Sequence, residues 1–330
     1  MNRIALLPGA DVWESIVTEK YLNQLRQMGE LVVNTLPGAP SKERVAELIR
    51  DADFAITSWG CPAFDADVLG DAGRLKLVAH AAGTVKGIVT PELIERGIRV
   101  SSANDALGVG VAETALALTI TSLKRMWELS QSTREGTWEE GKEHIREMFD
   151  ITIGVVGAGK AGRHYIRLLQ QFEVDIVLYD PIVSVQEAVE LGCRKVEFEE
   201  LLAVSDVISI HAPSIPETNH MFNAKAFSIM KDDAVLINTA RGSLVHEYEL
   251  AAELAKGRFT ACIDVTEPEP PSLDHPFRKL PNVILIPHIA GAVNNGKQRM
   301  ARHAVEEIRR FIAGQPLEGE VNLQNLHVIA

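Results

Sequence analysis

Three short segments gather residue types suited to a single reaction: Asn238-Thr239-Ala240-Arg241-Gly242, Asp264-Val265-Thr266-Glu267-Pro268-Glu269-Pro270 and Pro287-His288-Ile289-Ala290-Gly291. Each follows an apolar run that reads as a strand, and open α/β sheets bind ligands beyond the carboxyl ends of their strands. An Arg, a Glu and a His converging there suit oxidation or reduction of a carbon next to a carboxylate. The Arg fork holds carboxylate and carbonyl oxygens, and the His exchanges the proton that accompanies a hydride. A Glu beside the His favours its protonated form, as reduction of a keto group requires. The residues alone leave open whether Glu267 or Glu269 plays that part.

A carrier for the hydride is written upstream. Ile151-Thr152-Ile153-Gly154-Val155-Val156 reads as a buried strand and runs into Gly157-Ala158-Gly159-Lys160-Ala161-Gly162, ahead of a helical pattern over Arg163–Gln171. In a strand–GxGxxG–helix unit the first glycine permits the tight turn and the second lets a pyrophosphate approach the backbone. The third lets helix pack on strand, and the helix N-terminus supplies free amides. The next strand, Val174–Tyr179, ends at Asp180, 18 residues past Gly162 and so placed to bind ribose hydroxyls. A carboxylate there repels a 2′-phosphate, and Pro181-Ile182-Val183 offers no Arg to receive one, so NAD is expected rather than NADP.

Two series of strands and helices must position these groups. In the first, Ile4–Leu7, Leu31–Val33, Phe54–Thr57, Leu75–Ala79 and Ile98–Val100 read as strands. Thr90-Pro91-Glu92 marks a helix start and Gly97 its end. The second has strands at 151–156, 174–179, 206–210, 234–238, 260–264 and 283–286, a doubly wound pattern. Between the series, Val111–Ile120 is apolar nearly all round, predicting a helix that continues towards Trp127 and lies in a core or a subunit interface. Residues 130–141 turn polar. A last helix, Gly296–Ala313, places Met300, Ala304, Ile308 and Phe311 on one face.

Composition bounds the class. The chain has 330 residues, long enough for two cores, and its acidic residues outnumber its basic ones by 12, with no local basic patch in the sequence; no nucleic-acid partner is expected. Cys61, Cys193 and Cys262 lack metal or disulfide spacing, so no metal is expected and a reducing cytoplasm is. The N-terminal apolar run is too short for a signal peptide, no uncharged apolar stretch reaches a spanning length, and no membrane partner is expected.

The chain resembles the D-isomer-specific 2-hydroxyacid dehydrogenases, which include phosphoglycerate, D-lactate, glyoxylate or hydroxypyruvate, and formate dehydrogenases. The stretches that carry the likeness are GVVGAGKAG, VLYDP, SIHAPSIPETNHMF, LINTARGSLV, IDVTEPEP and VILIPHIAG, with a weaker likeness in LKLVAHAAGT and VAETALAL. The resemblance implies two Rossmann-like or flavodoxin-like domains, the NAD-binding one (104–296) inserted into a discontinuous substrate domain (1–103 plus 297–330), with cleft closure shedding water. It implies Arg241 as the substrate-binding arginine, Glu269 as the partner of the histidine and His288 as the general acid/base acting on a small 2-hydroxy or 2-oxo acid. Asp264 matches an acid near the nicotinamide carboxamide. Lys160, Ala161, His211, Ala212, Pro213, Thr218, Thr239 and Ala240 match the lining of the NAD cleft, and Tyr179 and Pro181 flank Asp180 there. His211 ends an apolar strand and suits packing as well as cofactor contact. The apolar helix from Val111 matches a dimer contact, implying a homodimer, and Trp138 matches a tryptophan that reaches a partner subunit or packs locally.

The chain departs from the family where the substrate loop usually reads GVGxDNID. Here it is Ala82-Gly83-Thr84-Val85-Lys86-Gly87-Ile88-Val89. Amides at Gly83 and Thr84 are expected to take the substrate carboxylate, and Lys86 either a polar far end or only solvent. A Gly-Lys pair usual before the Rossmann strand is replaced by His144–Asp150, with no consequence assigned. Glu269, where formate dehydrogenases resemble a Gln, argues against that branch. A competing reading from the same motifs is an NADH-sensing interaction protein, like the corepressors on this fold.

Overall fold

The computed structural model describes residues 1–323 and Leu326. The chain divides into two compact units, Met1–Leu107 with the chain from Ala292 on, and Gly108–Gly291. The divisions lie a few residues from the expected 103/104 and 296/297. The first falls inside the helix Asn104–Leu123, at Gly108.

In the first unit, strands β1 (Arg3–Leu6), β2 (Glu30–Val33), β3 (Phe54–Thr57), β4 (Leu77–His80) and β5 (Arg99–Ser102) form a parallel sheet in the order β2-β1-β3-β4-β5. This is the flavodoxin-like winding. Continuously buried strands such as Phe54–Thr57 and Leu77–His80 are what helices on both faces demand. The helix Pro91–Glu95 starts as expected: the Thr90 side chain accepts from Leu93 N–H, and the proline sits in its first turn. The last helix, Lys297–Ile312, buries Met300, Ala304 and Ile308 against Ile4, Leu25 and Leu77 of the same core.

In the second unit, β6 (Phe149–Val156), β7 (Glu173–Tyr179), β8 (Arg194–Lys195), β9 (Val207–Ile210), β10 (Val235–Asn238), β11 (Thr260–Ile263) and β12 (Val283–Leu285) form a parallel sheet ordered β12-β11-β10-β9-β6-β7-β8. That is the Rossmann winding with one added edge strand. The sequence predicts six of the seven strands. β8 is two charged residues at a sheet edge, without apolar content to mark it.

The apolar helix does not run on towards Trp127. It ends at Leu123, Arg125 turns left-handed at φ 47°, and a second helix occupies Met126–Arg134, taking in part of the polar stretch. Val111, Ala112, Ala115, Leu118 and Thr119 are buried, while Glu113 and Ala117 are exposed. Its 20 residues are apolar and long enough to cross a membrane by length and composition alone, but it carries Asp105 and Glu113 and packs Ala112, Ala115 and Leu118 into a core.

Candidate active site

The reversal of strand order in the second sheet lies between β6 and β9, where the glycine-rich turn emerges. Gly157 has φ 94°, and a Cβ there would stand 2.8 Å from the Ala212 amide nitrogen, so only glycine lets the two strand ends meet. At Gly162 a Cβ would stand 2.2 Å from the Gly157 carbonyl oxygen, the close helix-to-turn approach the third glycine exists to allow. Gly159 differs: a Cβ there meets nothing within 4 Å, so its bareness serves no contact inside the protein. Lys160 opens the helix Lys160–Leu169, with Ala161 and Gly162 in its first turn.

Asp180, just beyond β7, has a backbone task as well. Its carboxylate accepts from the Ala158 N–H at 2.8 Å and from the Ile182 and Val183 N–H groups at 2.8 and 3.1 Å. These bonds tie the glycine turn to the segment holding Pro181 and fix the carboxylate's orientation. Tyr179 accepts the Gly157 N–H on its carbonyl and packs its ring on Phe198.

Beyond β9, His211 is buried and burial pushes it down to about 4, so the ring is neutral. One nitrogen meets Ser209 Oγ at 2.9 Å, the ring packs against Tyr165 at 5.1 Å, and Nδ1 has no hydrogen-bond partner. Ala212 is buried and Pro213 half-buried. Thr218 bonds within its own loop: Oγ1 donates to the Pro213 carbonyl at 2.6 Å and accepts from Ile215 N–H. Thr239 is buried, with a hydroxyl lacking a hydrogen-bond partner, and Ala240 is half-buried beside it. Buried polar atoms without partners are uncommon. With the open position at Gly159, the orphaned Thr239 hydroxyl and His211 nitrogen fit a polar cofactor laid along this edge.

Strands β10, β11 and β12 are neighbours and parallel, so Arg241, the Asp264–Pro270 loop and His288 leave the same edge of one sheet. Asn238, buried at the end of β10, holds the Arg241 loop: its Nδ2 donates to the Arg241 carbonyl at 2.9 Å and its Oδ1 accepts from Ala240 N–H at 3.1 Å. Arg241 itself is exposed. The next residue, Gly242, is pressed onto the neighbouring loop, where a Cβ would lie 2.3 Å from the Thr266 carbonyl carbon.

His288 adopts φ 48°, the left-handed conformation that a non-glycine residue takes only when its surroundings impose it. The imposing group is Asp264. Its carbonyl accepts the His288 N–H at 2.9 Å, and its carboxylate accepts the N–H groups of Ile289 and Ala290 at 2.7 and 3.1 Å. Burial raises the Asp264 carboxyl, and the two amide bonds act against that rise. The Glu269 Oε2 lies 2.7 Å from His288 Nδ1, and its Oε1 accepts from Thr266 N–H at 3.1 Å. The carboxylate therefore accepts the Nδ1–H hydrogen bond, and Nε2 of a half-exposed ring is left for exchange. The other glutamate, Glu267, has no such contact with the histidine.

Gly83, Thr84 and Lys86 lie in the first unit, in the loop after β4. Thr84 and Lys86 are exposed, with Lys86 N–H reaching Thr84 Oγ1 at 3.4 Å. His80, under this loop, bonds Thr57 Oγ1 at 2.8 Å. Trp138 is 71% exposed, with Lys142 Nζ over its ring. The grip of Asp264 on the histidine loop escapes sequence reasoning, because its partners Ile289 and Ala290 are brought in only by folding, whereas Asn238 bonds two and three residues along its own loop. No group of residues among those described could hold a metal ion.

Comparison with known proteins accords with this geometry. Residues 116–290 match the model of the D-isomer specific 2-hydroxyacid dehydrogenase family, NAD binding domain. The chain is 33% identical over 318 residues to a glyoxylate reductase of Korarchaeum cryptofilum, covering 95% of both. It is 32% identical over 311 residues to a D-3-phosphoglycerate dehydrogenase of Archaeoglobus fulgidus, covering 94% of this chain but only 58% of that relative. Among solved structures, a phosphoglycerate oxidoreductase from Rhizobium etli superposes with a TM-score of 0.85 at 25% identity, covering 97% of this chain and 98% of that one. The chain belongs to the D-isomer specific 2-hydroxyacid dehydrogenase family, and its second unit carries that family's NAD-binding domain.

Proposed function

We propose that the protein is an NAD-dependent D-2-hydroxyacid dehydrogenase that interconverts a small 2-oxo acid and its 2-hydroxy acid. The observation that carries this reading is the 2.7 Å contact between Glu269 Oε2 and His288 Nδ1 at the edge of the sheet that also presents Arg241. NADH, when bound, supplies the hydride to the carbonyl carbon. His288 Nε2 delivers the proton to the carbonyl oxygen, and Glu269 holds the tautomer and stabilises the imidazolium that precedes delivery. Arg241 binds the carboxylate and carbonyl oxygens, polarising the bond under attack. The cofactor's pyrophosphate is assigned to the amides around Gly159 and Lys160, and its ribose to Asp180. His211, Thr218 and Thr239 complete the lining on this reading, while Asp264 fixes the loop that carries His288.

The amides of Gly83 and Thr84 are assigned to the substrate carboxylate and Lys86 to a polar far end. The exposed side of the helix Asn104–Leu123, with half-exposed Met126 and Trp127 just beyond it, supports a homodimer, for which sedimentation is the direct measurement. Three unpaired cysteines suit a reducing cytoplasm.

The test is NADH oxidation at about 340 nm with a panel of 2-oxo acids running from glyoxylate and pyruvate through hydroxypyruvate to 2-oxoglutarate and sugar-derived acids, with NADPH in parallel. NADH-dependent turnover that H288Q and E269Q remove supports the reading. NADH binding with no turnover across the panel replaces it with a nucleotide-sensing role.

A further inference from the structure

We infer that Glu247 is a positioning residue that joins the Arg241 segment to the Glu269 loop and thereby sets the Glu269–His288 pair. The inference rests on the assignment of Arg241, Glu269 and His288 as the reacting set. Glu247 is the first residue of the helix Glu247–Leu254 and is buried. Its Oε1 accepts the Glu267 N–H at 2.9 Å, two residues before Glu269, and its Oε2 lies 3.1 Å from His275 Nε2.

The ring of His275 beside Glu247 is held in one tautomer. His275 Nδ1 faces the Phe277 N–H at 3.4 Å and must be the acceptor there, so in the neutral ring the proton resides on Nε2, which lies 3.1 Å from Glu247 Oε2 without hydrogen-bonding to it. Burial holds the His275 ring below its ordinary value, in keeping with a neutral ring. Packing of that ring against Phe277 at 4.7 Å and Tyr248 at 5.6 Å fixes its plane. Glu247 therefore accepts the Glu267 N–H on one oxygen and has the His275 ring packed beside the other.

Capping the helix does not require this carboxylate. His246 already occupies the N-cap and accepts the Glu249 N–H. A buried carboxylate is costly unless it holds something, and an apolar side chain would fill the space without that cost. What Glu247 holds is the loop. The same loop is met from the Arg241 side by Gly242, whose missing Cβ lets the Thr266–Glu267 backbone come into contact. Gly242 and Glu247 are thus two grips on one loop, five residues apart in one segment. Inside the loop, Thr266 N–H carries the constraint to Glu269 Oε1, and Glu269 Oε2 meets His288.

The test uses the full-length E247A, E247Q and H275F variants, with three measurements on each. These are steady-state kinetics on the 2-oxo acid that the unaltered enzyme turns over best, NADH affinity by fluorescence, and the low-field proton resonance of His288 Nδ1–H, assigned by its loss in H288Q. E247A is expected to lower kcat by about 10- to 100-fold, the scale of a misplaced reacting group, with NADH affinity unchanged and the resonance lost. E247Q, which retains an acceptor for the Glu267 N–H, is expected to restore most of the loss. H275F, which keeps an aromatic ring beside Glu247 and removes no hydrogen bond to it, is expected to stay close to the parent in both readouts. Unchanged kcat and an intact resonance in E247A overturn the inference, as does a loss that E247Q does not relieve. If E247A does not fold, E247L, which fills the space without an acceptor for the Glu267 N–H, takes its place with the same expected losses, and an unchanged kcat and resonance in it overturn the inference. The resonance and NADH affinity are read without turnover, so an enzyme silent across the panel refutes the proposed activity while leaving the positioning role to be judged on its own.

Discussion

Replacing Gly159 and Gly162 separately by alanine distinguishes a glycine kept for a ligand from one kept for packing. At Gly159 the backbone, φ −67°, accepts alanine, and the added methyl meets nothing within 4 Å. Glycine is a better N-cap than alanine by roughly 0.5–1 kcal/mol, and the stiffer unfolded chain of the alanine variant returns about 0.4–1 kcal/mol, so stability changes by under about 0.5 kcal/mol. At Gly162 the methyl lands 2.2 Å from the Gly157 carbonyl oxygen and 3.2 Å from its carbon, both backbone atoms that cannot rotate aside. Overpacking of this kind costs about 3 kcal/mol, a fall in Tm of roughly 6–12 °C. The order reverses for the cofactor as far as G159A is concerned. A methyl at 159 stands between a pyrophosphate and the amides, and losing one or two charge-assisted hydrogen bonds, about 1.5–3 kcal/mol, weakens NADH binding by about 10- to 150-fold. Thermal melts without ligand and fluorescence titration with NADH measure both. A G159A protein that melts like G162A, or that binds NADH as tightly as the parent, refutes the reasoning.

Three further outcomes follow from the same geometry. His80 and His211, both buried, are pushed down to about 4, so the unfolded chain binds more protons than the folded one between roughly pH 6.5 and 4. Stability is full above that window and falls through it on acidification, by on the order of 3 kcal/mol for each histidine, and denaturant midpoints for H80Q should show a flatter acid slope. Asn238→Ala frees the Arg241 carbonyl and the Ala240 amide. It should raise KM for the 2-oxo acid by about tenfold while leaving NADH affinity within about twofold, and kinetics with NADH saturating will show the split. Lys86→Ala should lower kcat/KM for 2-oxo acids with an anionic far end by about fivefold relative to uncharged ones, the scale of an exposed ion pair, and equal changes on both sets remove Lys86 from the substrate assignment.

The cofactor edge was legible because its signals are local: a strand, three glycines at fixed spacing and an acid after the next strand all lie within Ile151–Asp180. The three loops proposed to carry the reaction stood out as segments, since each follows an apolar run. What sequence could not reveal depends on long-range partners. Asp264 carries its acid close to the nicotinamide assignment, but its grip on the Ile289 and Ala290 amides exists only once β11 and β12 are paired. Glu247 reads as an ordinary first-turn acid until Glu267 and His275 are brought to it. The Arg125 break was hidden by helix formers on both sides, and β8 by two charged residues that only an edge position tolerates.

The divided first unit also dictates an order of events during synthesis. Strands β1 to β5 emerge first, yet the helix Lys297–Ile312, which covers Ile4, Leu25 and Leu77, is made only after the whole of the second unit. At about 5–20 residues per second, the ribosome leaves that apolar face waiting for roughly 10–40 s. The unit begun first is therefore completed last, and a nascent chain stalled before residue 297 presents a sticky, half-covered sheet to the chaperones that attend it.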